Sequence, residues 1–364
     1  MKVKFLDLTV SPSEREILRK ILDDILARGQ IVGGTEVAAF ENLMRKEARH
    51  PHALAVSSGT AAVWLALRLL GVGRGDEVIT SALGWLGTVN PICVCGAIPR
   101  FVDINPDLNI SPAAIRKTVS PKTKAILAVH YTGYPCDMDA ILKIAEEFGL
   151  SVIEDCAQSC GAHWHDRPVG SMGDVGAFSM NPMKLFSAFG ECGAVVFNNS
   201  DWLEKAYALR HNGLYNGEYC FAPSLNLKPD TLQCGFLLAK YQCLESVIKR
   251  REENAMLYDK RLKGIVSLPA TSVNVKRVYY TYTIRCTQRD RLQQFLMAKG
   301  IETKVRHPVL LSEQNAYAMN QISRVPEANR ARKEILCLPI HENLTNEDVN
   351  YVADCIGEFY KVSH

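Results

Sequence analysis

The chain predicts an α/β fold, and three observations predict it. Short apolar runs alternate with helical stretches between about residues 53 and 197, small-residue turns follow several of those runs, and 364 residues exceed one compact core. Alternation of this kind implies a mainly parallel sheet covered on both faces. The length suggests two domains, a large one over 1–245 with an N-terminal helical segment and a smaller C-terminal α/β domain over 246–364.

The elements follow in order. Apolar positions at helical spacing (Ile17, Leu18, Ile21, Leu22, Ile25, Leu26) predict a helix that Ser11-Pro12 starts and Gly29 stops. A second helix is expected from about Glu36 to Ala48. Strand runs are expected at Ala53–Val56, Glu77–Thr80, Ile98–Val102, Ala125–Val129, Ser151–Asp155, Gly176–Ser179 and Gly193–Phe197. Helices at Ala61–Leu70, Thr88–Cys95, Ala113–Val119 and Ile141–Phe148 separate the first five. One long helix is expected from about Pro229 to Leu262, with the domain boundary inside it. Beyond it come a β-like run at Tyr279–Cys286, a helix at Arg289–Lys299, a strand at Glu334–Leu338 and a closing helix at Asn346–Tyr360.

Composition excludes several classes. With 47% hydrophobic and 22% charged residues the chain reads as an ordinary globular protein. Its net charge of +3 is no footprint for nucleic acid, and Lys249-Arg250-Arg251 runs straight into Glu252-Glu253, the pattern of a solvated helix face. No apolar stretch reaches the ~20 residues of a membrane span, and the first residues carry no signal-peptide core, so a cytoplasmic protein is expected. The 12 cysteines sit mostly singly in apolar segments and read as reduced, buried side chains.

Ligands of such sheets gather at the carboxyl ends of the strands. Asp155 closes one strand there; an acid in that place can pair with the pyridine nitrogen of pyridoxal phosphate, although a strand-end Asp also serves as a helix cap or metal ligand. Lys184 follows another strand in a stretch free of carboxylates until Glu191. Met183, Leu185, Phe186 and Phe189 would give it the apolar setting that activates a lysine as a nucleophile; otherwise it is a surface lysine. Ser58-Gly59-Thr60 leads into a helix and offers N–H groups and hydroxyls to a phosphate, or merely caps that helix. Trp85, on a loop beyond a strand, is placed either to stack on a ring or to pack between sheet and helix. Gly71-Val72-Gly73-Arg74-Gly75 follows a helix instead of a strand and is no dinucleotide loop. Cys156, Cys160, His163 and His165 match no standard zinc spacing, so no metal is expected.

The order of these features resembles the DegT/DnrJ/EryC1/StrS family of pyridoxal-phosphate sugar aminotransferases, of fold type I. The resemblance rests on Gly29-Gln30-Ile31-Val32-Gly33-Gly34, Ser58-Gly59-Thr60-Ala61-Ala62, Val129-His130-Tyr131-Thr132-Gly133-Tyr134-Pro135 and Glu154-Asp155-Cys156-Ala157-Gln158. Gly75-Asp76-Glu77-Val78-Ile79, Gly173 to Ser179 leading to Lys184, and Gly190 to Val196 complete it. It implies a Schiff base on Lys184, Asp155 at the ring nitrogen, Gln158 near the ring hydroxyl and Trp85 stacked on the ring. It also places Ser58, Gly59, Thr60 and Ser179 on the phosphate, with Asn226 reaching the site of a neighbouring subunit in a homodimer. The implied reaction moves an amino group from glutamate or glutamine to a keto sugar, nucleotide-linked, or to a keto-cyclitol. Cys160, Cys192 and Lys228-Pro229 depart from the family pattern. Rival readings are a dehydratase on the same fold, where histidine replaces the lysine, and a non-enzymatic binding or regulatory descendant. Lys304, Arg306 and His307 either face a diphosphate or form a solvated loop.

Overall fold

A computed structural model describes residues 1–317 and 324–362. The first helix, α1 (Pro12–Arg28), begins and ends as its sequence dictates. The Ser11 hydroxyl accepts from Glu14 N, and Gly29 takes the left-handed conformation (φ 69°) that closes the last turn. The helix α2 (Thr35–Glu47) follows and buries Val37, Phe40 and Met44.

Seven strands build the central sheet: β1 (His52–Val56), β2 (Glu77–Ser81), β3 (Ile98–Val102), β4 (Thr123–Val129), β5 (Ser151–Asp155), β6 (Val175–Ser179) and β7 (Gly193–Phe197). Their spatial order is β1-β7-β6-β5-β4-β2-β3. β7 runs antiparallel between β1 and β6, and the other neighbours are parallel, so the expected mainly parallel sheet is present. The strands are nearly all buried because helices cover both faces, which is why they read as continuous apolar runs. The intervening helices are α3 (Gly59–Leu69), α4 (Leu86–Val94), α5 (Pro112–Thr118), α6 (Met138–Phe148) and, after the sheet, α7 (Leu203–Arg210). The α3 helix is apolar all round because the sheet lies on one side and α4 and α7 on the other.

The long helix expected from Pro229 to Leu262 is two helices, α8 (Thr231–Tyr241) and α9 (Leu244–Leu262), interrupted at Gln242-Cys243. Neither residue breaks helices; the break is tertiary. The α8 helix packs on α1 and α2, whereas α9 packs on α12 (Asn346–Val362), and no straight rod faces both. Beyond α9 lie β8 (Tyr282–Arg285), α10 (Arg289–Ala298), α11 (Pro326–Glu334) and β9 (Ile335–Leu338), with β8 and β9 antiparallel. A separate apolar cluster joins Ala255, Tyr258, Tyr282, Leu336 and Val352, and it includes Val3, whose backbone bridges Ile301. The N-terminal residues thus pack with the C-terminal third of the chain.

Candidate active site

Strand register gathers the candidate residues. Val56 lies opposite Gly193, and Gly193 opposite Ser179, so the turn after β1 and the end of β6 meet across the first residue of β7. Ser58 caps α3, its hydroxyl accepting from Ala61 N at 3.1 Å. A Cβ on Gly59 would sit 2.4 Å from Ser179 Cβ, and one on Gly193 would sit 2.5 Å from the Ser58 carbonyl oxygen. Only glycine lets these backbones approach so closely, and the result is a cradle of N–H groups and the Ser58, Thr60 and Ser179 hydroxyls at the N-terminus of α3. Thr60 and Trp85 both close on Gly87, where a Cβ would lie 2.8 Å from Thr60 Oγ1 and 3.0 Å from Trp85 Cδ1. The Trp85 ring is 61% exposed and leans on His307, centroid to centroid 6.0 Å.

Asp155 ends β5 next to Ala177 of β6 and is buried. Its Oδ1 accepts from Ala157 N (3.0 Å) and its Oδ2 from the Thr88 hydroxyl (2.7 Å). Thr88, on the first turn of α4, was not among the expected site residues; its position three residues after Trp85 was the available signal. Gln158 is buried, and its Oε1 accepts from Thr132 N (2.9 Å), so the amide N–H group is the end left to donate.

Beneath Asp155 lies a fully buried tie. Glu154 accepts from His130 Nε2 (3.0 Å), Gly170 N (2.8 Å), Met172 N (2.7 Å) and Gly173 N (2.7 Å), while Cys136 N donates to His130 Nδ1 (3.0 Å). Burial alone would raise the Glu154 carboxyl; the hydrogen bond from His130 with those from the two glycine N–H groups outweigh it and hold the carboxyl below its ordinary range. Cys156 stands beside this pair, making the one group of three potential ligand atoms within 4.8 Å among the described residues. Both His130 nitrogens are engaged in protein hydrogen bonds, which marks the group as structural. The four residues Cys156, Cys160, His163 and His165 do not assemble into such a group.

Lys184 sits in the loop after β6, its N–H donating to Asn181 O (2.8 Å), while Asn181 Nδ2 donates to Glu191 Oε1 (2.5 Å). The residues expected to surround its amine face elsewhere. Phe186 packs on Phe40 and Tyr241, Phe189 on Phe236, Leu185 is buried in the core and Met183 is exposed. The ring beside Lys184 Nζ is instead the buried Tyr280, 4.9 Å to its centroid. Arg306 lies 4.9 Å from the same centroid. Burial would raise the Tyr280 phenol, but the Lys184 and Arg306 charges prevail and lower it. Burial, then Arg306 and Lys184, pull the His307 imidazole down to about 4. Of the remaining expected residues, Lys304 pairs with Glu302 at 2.8 Å on the surface, and Asn226 is exposed, its Oδ1 accepting from Lys228 N (3.4 Å).

An anion cradle, a buried aspartate, an exposed aromatic face and a lysine thus line one sheet edge. The model of the DegT/DnrJ/EryC1/StrS aminotransferase family matches residues 12–357. The chain belongs to that family. Its family is one of aminotransferases, and the chain is an enzyme of that class. Among its relatives, a pleiotropic regulatory protein of Geobacillus stearothermophilus is 36% identical over 99% of each chain. The dTDP-3-amino-3,4,6-trideoxy-alpha-D-glucose transaminase of Streptomyces venezuelae is 33% identical, covering 98% of this chain and 96% of its own. The crystal structure of S. venezuelae DesV in complex with a ketimine intermediate superposes with a TM-score of 0.94, at 33% identity and 98% coverage of both chains. The fold type I expectation agrees with that superposition.

Proposed function

We propose that this family member transfers an amino group from glutamate or glutamine to the carbonyl of a keto sugar carried on a nucleotide, with pyridoxal phosphate as cofactor. The observation that carries the reading is the convergence of the Asp155–Thr88 pair and the Ser58-Gly59-Thr60/Ser179 cradle at one sheet edge, with Lys184 in the loop that leaves the same strand as Ser179. The donor set fits the cofactor: the cradle suits a phosphate dianion, Asp155 a protonated ring nitrogen, Gln158 a ring oxygen and Trp85 a ring face. When bound, the group supplies an aldehyde for covalent attachment to Lys184 and a pyridinium that draws electrons from the donor's Cα.

The chain's own residues do the rest. Asp155, held by the Thr88 hydroxyl and Ala157 N, would face the ring nitrogen and hold a proton there. Lys184 Nζ would move a proton at the donor's Cα, as general acid and base. Over both halves the donor gives up its amino group and Cα hydrogen and ends as the keto acid. The sugar gives up its carbonyl oxygen and ends as the amine.

The nucleotide-sugar names of relatives support the acceptor class, as does the exposed Trp85 at the mouth of the site. The exposure of Asn226 accords with a homodimer in which it reaches the partner's site, and sedimentation would show the dimer. No described helix is long and apolar enough to cross a membrane. The regulatory name of the Geobacillus relative favours a second reading, a regulatory protein on this fold. Borohydride reduction of the loaded protein followed by peptide mapping decides between them. A pyridoxyl group on Lys184, lost together with turnover in Lys184→Ala, is the expected outcome; label on another lysine, or none, refutes the assignment.

A further inference from the structure

We propose that Arg306 anchors the α-carboxylate of the amino donor, and so selects α-amino acids over simple amines. The inference rests on the amino-transfer reading above and deepens it. Its geometry is specific to this corner of the site. The Arg306 guanidinium lies 4.9 Å from the Tyr280 ring centroid, 5.9 Å from that of Phe5, and within hydrogen-bonding reach of the Tyr280 hydroxyl. Lys184 Nζ approaches the same Tyr280 centroid at 4.9 Å, so the two cations stand against one ring.

Among the described residues no Asp or Glu pairs with Arg306, and its Nε is buried without a hydrogen-bond partner. A partly buried guanidinium clamped by two rings and unmatched by any acid is poised for an anion from outside. The position of Lys184 says which one. In an α-amino acid the carboxylate carbon is two bonds from the reacting nitrogen, ~2.5 Å away. A two-point guanidinium–carboxylate contact adds about 2.8 Å.

A nucleotide diphosphate fits this corner less well. It carries more charge than one guanidinium balances, and the neighbours that might share it do not. Lys304 is on the surface with Glu302 at 2.8 Å, and the His307 ring, wedged between Trp85 and Tyr131, is held neutral at physiological pH. One fixed positive charge in an aromatic slot matches one carboxylate.

The test uses the cofactor-loaded protein and its Arg306→Gln and Arg306→Lys variants. Calorimetric titration with 2-oxoglutarate, which keeps the α-carboxylate but has no amine, should show affinity about 10- to 100-fold weaker for Arg306→Gln. Arg306→Lys should fall in between. The KM for L-glutamate in discharging the cofactor absorbance should rise similarly, whereas 4-aminobutanoate, without an α-carboxylate, should react as it does with the native chain. Titration with a nucleoside diphosphate tests the competing ligand. Unchanged 2-oxoglutarate binding in Arg306→Gln overturns the proposal, whatever happens to the nucleotide. Retention of the borohydride label on Lys184 in the variants shows that the site is folded. Absence of that label in the native chain would instead defeat the underlying amino-transfer reading.

Discussion

Gly59→Ala is the sharpest probe of the cradle, because two principles predict opposite signs. By helix propensity alone, alanine in place of glycine at the start of α3 should stabilise the helix by up to about 1 kcal/mol. The packing says otherwise. The new Cβ would lie 2.4 Å from Ser179 Cβ, 2.8 Å from its Oγ and 3.1 Å from its Cα. Carbon atoms in contact rest about 3.5–4.0 Å apart, so the turn after β1 and the end of β6 must separate by roughly 1 Å. Overpacking of this kind costs about 1–3 kcal/mol, which exceeds the propensity gain. The same displacement opens the cradle, and cofactor affinity should fall roughly 5- to 100-fold. Denaturant unfolding of the cofactor-free protein measures the first effect, and equilibrium titration of the bound-cofactor absorbance the second. Adding Ser179→Gly removes the two closest atoms, so the double variant should regain most of the lost stability but not the affinity, since the hydroxyl is gone. An unfolding midpoint and cofactor affinity unchanged in Gly59→Ala would refute this account of the cradle.

Two further outcomes follow from buried groups. His307 is depressed to about 4, so between that value and its ordinary 6.5 the unfolded chain binds the extra proton. Stability should therefore be level above pH 7 and decline by up to about 3 kcal/mol as pH falls from 6.5 to 4, and His307→Gln should lack that part of the slope; equal slopes in urea unfolding at pH 7 and 4.5 would contradict it. Glu154→Ala leaves His130 Nε2 and the N–H groups of Gly170, Met172 and Gly173 without their acceptor, and about 3–5 kcal/mol of stability should vanish; a loss under about 1 kcal/mol by urea unfolding would show that the tie is not structural.

Much of the fold and part of the site were legible because local chemistry and global placement agree there. Ser11-Pro12 and Gly29 bound α1 within a residue, and strands buried on both faces leave apolar runs that nothing else explains. Asp155 and the lysine loop were legible for the same reason: each directly follows such a run. The break at Gln242-Cys243 was illegible because no glycine or proline marks it; it arises from which cores α8 and α9 face. Thr88 was missed because a single hydroxyl on a helix carries no pattern of its own beyond its spacing from Trp85. The neighbours of the Lys184 amine were assigned to residues 183–189 by sequence proximity, whereas the ring that meets it, Tyr280, comes from a stretch with no regular structure. Lys304 was grouped with Arg306 and His307 by composition alone, and Glu302 claims it.

These differences follow one division in the structure. The cradle, Asp155 and the lysine loop are fixed by strand register: an antiparallel β7 between β1 and β6 forces Ser58 and Ser179 together over Gly193, and β5 sets Asp155 beside them. A register slip of one residue would turn every side chain on those strands to the opposite face, so this half of the site tolerates little change. Tyr280, Arg306 and His307 arrive differently. They come from irregular segments stitched to the sheet edge by backbone bonds such as Val278 N to Gly133 O (3.0 Å) and Thr281 N to Thr132 O (3.4 Å). Side chains there can be exchanged without moving a strand. The residues proposed to hold the cofactor and those proposed to choose what reacts with it are therefore under separate structural control, and differences in donor or acceptor among relatives of this fold should concentrate in the second group.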